Sequence, residues 1–238
     1  TDVSLDPTGK APEDPDNTTY ESVLPGFTTR VKLPEHERPW LSWLRAQGLE
    51  LHDHARAHLP VGMPPGAVSN APPAYSKDQT QTAFLSNEFI RWLGEQDRPW
   101  FAHISYLRPH PPFVVPAPYN TMYRPEDVPG FHRAASVTEE AAQHPMLGYL
   151  LTRMAARSFV PGAKGLVRDL TEAEFRQIKA TYYGMISEVD AQLGRVFGAI
   201  RARGEWDDTV VIFTSDHAEM MGDHFALGKG GYFDESQH

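Results

Sequence analysis

Apolar residues recur at three- and four-residue steps over residues 171–204, where Phe175, Ile178, Tyr182, Ile186, Val189, Leu193, Val196, Phe197 and Ile200 fall on one stripe. That is the period of a helix with one buried face. Thr171 and Glu174 stand at capping-box spacing at its start, so each can satisfy a backbone group that the first turn leaves free. The pattern predicts a helix ending near Gly204, after which Asp207 and Asp208 turn the chain into residues 209–214 (TVVIFT), a continuous apolar run of strand type. The same order occurs earlier. Ala83, Phe84, Ile90, Trp92 and Leu93 predict a helix over residues 77–96, Asp97 and Pro99 close it, and residues 100–106 (WFAHISY) read as a strand. Helix, short turn and strand, twice over, predict an α/β fold with a mostly parallel sheet flanked by helices.

Between these units the pattern weakens. Trp40, Leu41, Trp43 and Leu44 follow Pro39 and fit one short helix, and another is expected over residues 146–158. Prolines at 60, 64, 65, 72 and 73 make residues 60–75 a connector, and residues 108–145 read as a long loop. The first 25 residues hold six acidic groups, one lysine and four prolines without a period, which reads as a surface excursion.

The chain has 238 residues, 40% of them apolar, enough for one core and hence one domain over residues 1–238. A net charge of -9 argues against a nucleic-acid polymer as partner, since such partners are met by basic surfaces. No run of roughly 18 apolar residues and no signal-like segment is present, so a cytoplasmic, non-membrane protein is expected. The absence of cysteine excludes disulfides, zinc–thiolate sites and a thiol nucleophile within this chain. The chain lacks an initiator methionine and stops inside a predicted loop at residues 231–238, which suggests an internal segment of something longer.

Candidate chemistry gathers at three places. Asp216 and His217 follow the predicted strand 209–214, at the end where open α/β sheets place their ligands. Adjacent strand residues face opposite ways, so both reach one metal ion only if the strand has already ended; the plainer alternative is a loop hydrogen-bonded to itself. Lys229 lies between Gly228 and Gly230, where an ammonium could meet a phosphoryl or sulfuryl oxygen; taken in isolation, a solvent-facing turn lysine is the plainer alternative. His110 is flanked by Pro109, Pro111 and Pro112, which fix an imidazole at low entropic cost. Its neighbour Arg108 is a weaker candidate for an anion contact. His52, His54 and His58 read as histidine-rich polar surface rather than a zinc site, and His224 as a supporting group of the main site.

Residues 214–222 (TSDHAEMMG), 228–234 (GKGGYFD) and 106–113 (YLRPHPPF), with residues 116–123 (PAPYNTMY) and the helix bearing Tyr183, Glu188 and Asp190, resemble the sulfatase branch of the alkaline phosphatase superfamily. Within it the chain is most similar to phosphonate monoester hydrolases, which also cleave phosphodiesters. The resemblance implies an alkaline-phosphatase-like fold, with this chain an internal part of one catalytic domain. It implies that Asp216 and His217 bind one divalent metal ion (Mn, Zn or Ca), that Lys229 contacts the transferred group and that His110 serves the leaving-group oxygen. Ala218 stands where the family commonly has glycine. The family's nucleophile, a formylglycine made from cysteine in a Cys-x-Pro-x-Arg motif, and its first metal-binding aspartates have no counterpart here and are expected upstream, so the segment alone should be inactive. The substrate implied is a small anionic phosphonate, phosphodiester or sulfate ester, and the full-length protein is expected to be a homo-oligomer. The alternatives are an arylsulfatase and a catalytically degenerate binding protein of the same fold.

Overall fold

The computed structural model describes residues 27–33, 37–51, 54–230 and 233–237. The acidic first 25 residues, His52, Gly231 and Tyr232 lie outside the described residues. Helix α1 (Arg38–Ala46) opens with Pro39 in its first turn and fully buries Trp40 and Leu44. The short α2 (His54–Ala57) follows. Helix α3 (Gln81–Gly94) is capped by Thr80, whose Oγ1 accepts from Ala83 N at 2.9 Å. Helices α4 (Val137–Gln143) and α5 (Pro145–Leu151) lead to the long α6 (Glu172–Ala202), and α7 (Asp234–Gln237) comes last.

The capping box at the start of α6 forms as its spacing predicts: Thr171 Oγ1 accepts from Glu174 N at 3.2 Å, and Glu174 Oε2 accepts from Thr171 N at 2.7 Å. The apolar stripe holds at both ends of the helix, where Phe175 and Ile178 or Val196 and Ile200 are buried. In the middle it drifts, because the buried face there carries Thr181, Gly184 and Glu188 while Ile186 is exposed. Phe89 and Leu93 of α3 pack with Val196 and Ile200 of α6. A polar tie joins the same helices: Thr80 Oγ1 donates to Glu188 Oε1 at 2.6 Å. Burial raises the Glu188 pKa, and the bond from Thr80 offsets part of that rise.

Gly184 sits where α6 passes the 3-10 turn Tyr119–Thr121, and a Cβ built on it would enter the envelope of the Tyr119 carbonyl oxygen. Gly184→Ala gains about 1 kcal/mol of helix propensity but overpacks rigid backbone, at roughly 3 kcal/mol. A net loss of about 2 kcal/mol is expected in denaturant unfolding of the folded protein. A variant as stable as the parent would show that the turn yields without cost.

The expected sheet is not there. Among the described residues no strand forms, and regular structure is helical apart from one isolated antiparallel bridge between Ala155 and Leu166. No backbone hydrogen bond among the described residues involves residues 100–106 or 210–214. The α/β reading with a helix-flanked parallel sheet is therefore corrected. Apolar, β-branched composition marks a segment that suits a sheet, but a strand exists only where a neighbour completes its ladder. Trp100, Ala102 and Ile104 lean on α3 and α6, while Phe101, between them, is 75% exposed. Val210 and Ile212 are 87% and 82% exposed. Residues 108–145 are also more ordered than a loop, since Ser136 caps α4 by accepting from Glu139 N. No helix among the described residues is long and apolar enough to cross a membrane.

Candidate active site

The backbone bends at Asp216, and that bend brings adjacent side chains to one side. Asp216 Oδ2 lies 3.4 Å from His217 Nε2, close to the separation of two ligands on one small cation. His217 Nδ1 is 2.8 Å from the Ala218 carbonyl oxygen. A carbonyl only accepts, so Nδ1 carries the proton and Nε2 keeps its lone pair, the tautomer a metal ligand needs. Lys229 Nζ donates to that same Nε2 at 2.7 Å. A carboxylate oxygen and an imidazole nitrogen that keeps its lone pair are ligand types that fit a divalent ion once the ammonium leaves that nitrogen.

The loop that leads into Lys229 closes on itself through Met220 N to Gly228 O and Gly222 N to Ala226 O, both 2.9 Å. Met220, Ala226 and Leu227 are fully buried beneath it. Gly228 takes φ 74°, a conformation that favours glycine, with the Phe159 ring against its Cα. The lysine thus projects to solvent from a fixed base. Glu219, two residues past His217, had no signal in the sequence. Burial pushes its carboxyl up to about 6, although His217, the Gly228 amide and Lys229 oppose the shift, and its Oε2 has no hydrogen-bond partner.

The charges of Lys229 and His217 act on His110. Burial first, and then Lys229, Arg108 and His217, hold its pKa below the ordinary value against a bond to Pro111. Its Nδ1 is 2.7 Å from the Pro111 carbonyl oxygen, so Nε2 is the nitrogen left for chemistry. Arg108 does not face solvent. It is buried, and Nη1 donates to the carbonyls of His110 and Pro112 at 3.0 and 2.7 Å, clamping both sides of the histidine. Its Nη2 meets His58 Nδ1 at 2.9 Å, and His58 Nε2 donates to Glu37 Oε2 at 3.0 Å. His58 is fully buried, stacked on Trp40 at 5.4 Å. The polar-surface reading of this histidine is corrected: paired between an arginine and a carboxylate, it is satisfied without water. Tyr75 OH, 3.0 Å from His58 Nδ1, is pushed up to about 12 chiefly by burial.

His224, expected to support the main site, instead pairs with Glu140 and Glu235. One ligand atom each from His132, His224 and Glu235 lies within 4.8 Å of the others, a group that could hold a metal ion.

A family model described as Sulfatase matches residues 14–238. The crystal structure of a phosphonate monoester hydrolase of Agrobacterium radiobacter superposes with a TM-score of 0.90 at 59% identity, over 97% of this chain and 46% of that one. The phosphonate monoester hydrolase SpPMH from Silicibacter pomeroyi gives 0.84 at 36% identity over the same shares. The multifunctional alkaline phosphatase superfamily protein PehA of Trinickia caryophylli is 39% identical over 99% of this chain and 46% of its own length. The chain thus spans about half the length of the relatives it matches.

Proposed function

This chain belongs to the sulfatase family, and from that premise we propose that the full-length protein is a metal-dependent hydrolase of phosphonate monoesters and phosphodiesters. The observation that carries the reading is the convergence of Asp216 Oδ2, His217 Nε2 and Lys229 Nζ on one face, with His110 near enough to feel their charge. The likeness to two structures titled phosphonate monoester hydrolase supports the substrate class, a small anionic ester. The description of the matching family keeps sulfate esters as a second reading. Rates on an aryl phenylphosphonate and an aryl sulfate, measured with the full-length enzyme, separate the two. A higher kcat/KM for the sulfate would overturn the first.

Asp216 and His217 would hold the ion, one of Mn, Zn or Ca, together with ligands from outside this chain, where the formylglycine nucleophile also belongs. A bound divalent ion supplies Lewis-acid polarisation of the ester's non-bridging oxygen. This chain's own residues do the rest. Lys229 meets negative charge on the transferred group, and His110, held by Arg108 and the Pro111 carbonyl, offers Nε2 to the departing oxygen.

A histidine with a lowered pKa is largely neutral at pH 7 before substrate arrives, and an anionic ester adds the charge that raises its proton affinity. For an alkyl ester, the pKa of the essential acid read from kcat is therefore expected to lie above that read from kcat/KM, since the two report the complex and the free enzyme. His110→Ala should lose both the shift and more rate on alkyl than on nitrophenyl esters, which need no proton to leave. Equal losses across a leaving-group series would make His110 a binding residue.

A further inference from the structure

Beyond His217 the chain builds a second cluster of ligand-type side chains that the proposed reaction does not use. His224 stands on the 3-10 turn Asp223–Phe225 at φ 53°, ψ 25°, with Phe225 at φ 56° beside it. Two successive non-glycine residues in the left-handed region cost on the order of 1–3 kcal/mol each and persist only where surroundings fix them. The surroundings here are polar. His224 Nδ1 lies 2.7 Å from Glu140 Oε1 and Nε2 lies 3.2 Å from Glu235 Oε2. His132 Nδ1 is 2.7 Å from the other Glu235 oxygen. Backbone bonds lock the partners together: His224 N donates to His132 O at 2.9 Å, and His132 N to Asp223 Oδ1 at 2.6 Å.

We infer that His132, His224 and Glu235 form a second divalent-cation site, of the zinc class, separate from Asp216 and His217. The stretch 224–235 and the remote His132 deliver two imidazole nitrogens and one carboxylate to a space already within 4.8 Å. Small side-chain movements bring such atoms to the roughly 2.0–2.2 Å bonds of zinc. Two nitrogens and one oxygen suit zinc better than magnesium or calcium, which take oxygen ligands. Glu140 completes the pattern. It is fully buried and sits on the ring nitrogen of His224 that faces away from Glu235, the place of the carboxylate that orients a metal-bound histidine and fixes its tautomer. His132 is 79% exposed at the opposite side, so a fourth position would be open to water. The ion would tie the loop that carries Lys229 to the segment before α4. The competing state of the same atoms is a protonated His224 bridging Glu140 and Glu235, with no metal.

Zinc alone decides between them. The metal-stripped full-length protein is titrated with Zn2+ against a chromophoric chelator, and bound metal is counted by mass spectrometry. The parent is expected to take one equivalent more than His132→Ala or Glu235→Gln, while Glu140→Gln keeps that equivalent with about 10–100-fold weaker affinity. Because His132 is a surface residue, its variant should fold as the parent does. Asp216→Ala should keep this equivalent whether or not it loses another, so failure here and failure of the catalytic assignment are told apart. Unchanged stoichiometry in both His132→Ala and Glu235→Gln would overturn the site.

Discussion

Asp216→Ala in the full-length enzyme is expected to lose catalytic metal and turnover together, by at least ~10²-fold, since even removing partners of metal ligands costs 10–100-fold. The structure makes this a clean experiment. The Asp216 side chain is 83% exposed, and its contacts are the His217 amide at 3.0 Å and His217 Nε2. Exposed substitutions away from packing features usually stay within about 0.5 kcal/mol, so the melting temperature of the metal-stripped protein should not move. Metal content by mass spectrometry and kcat on a nitrophenyl ester measure the two effects. Unchanged metal stoichiometry would remove Asp216 from the ligand set, however large the loss of rate. Asp216→Asn, which keeps shape and one oxygen but loses the charge, should fall between parent and alanine variant.

What was legible in the sequence was local. Helices α3 and α6 announce themselves because their apolar period is local, and in α6 the capping box of Thr171 and Glu174 lies within the first turn. Helix α4 does not, because its seven residues bury only Glu140 and present no apolar stripe. Residues 100–106 show how a local pattern can mislead. Their side chains do alternate between partial burial against helices and exposure, as a strand's would, yet a ladder depends on a neighbour that period-two patterning does not specify.

The candidate site divides along the same line. Asp216, His217 and Lys229 lie within one short loop whose glycines advertise it, and prolines advertise His110. The residues that hold them are remote: His58 reaches Glu37 across 21 positions and Arg108 across 50, while Glu140 meets His224 across 84. Nothing in a buried glutamate's own neighbours foretells such a partner. Arg108 in particular reads as a weak candidate for an anion contact and becomes the internal clamp of His110 only once the fold supplies His58 and Glu37.

Lys229→Ala is expected to lower kcat by roughly 10²-fold or more, the loss seen when a donor to developing negative charge is removed, with little change in stability. Lys229 is exposed just past the base of a loop that is buried and hydrogen-bonded without it, so its removal leaves the scaffold intact. Its ammonium donates to His217 Nε2 at 2.7 Å. That nitrogen has one lone pair. A metal bond and the lysine's hydrogen bond would therefore exclude each other, and on the proposed reading metal binding would free the ammonium to meet the transferred group. Two outcomes follow for the same variant. Turnover falls because the charge that favours the transition state over the bound substrate is gone, while metal affinity stays level or rises because a competitor for Nε2 has been removed. Metal titration and steady-state kinetics on one preparation read both. A rise in KM with kcat unchanged would reduce Lys229 to a substrate anchor, and a loss of metal with the lysine would show instead that it holds His217 in place.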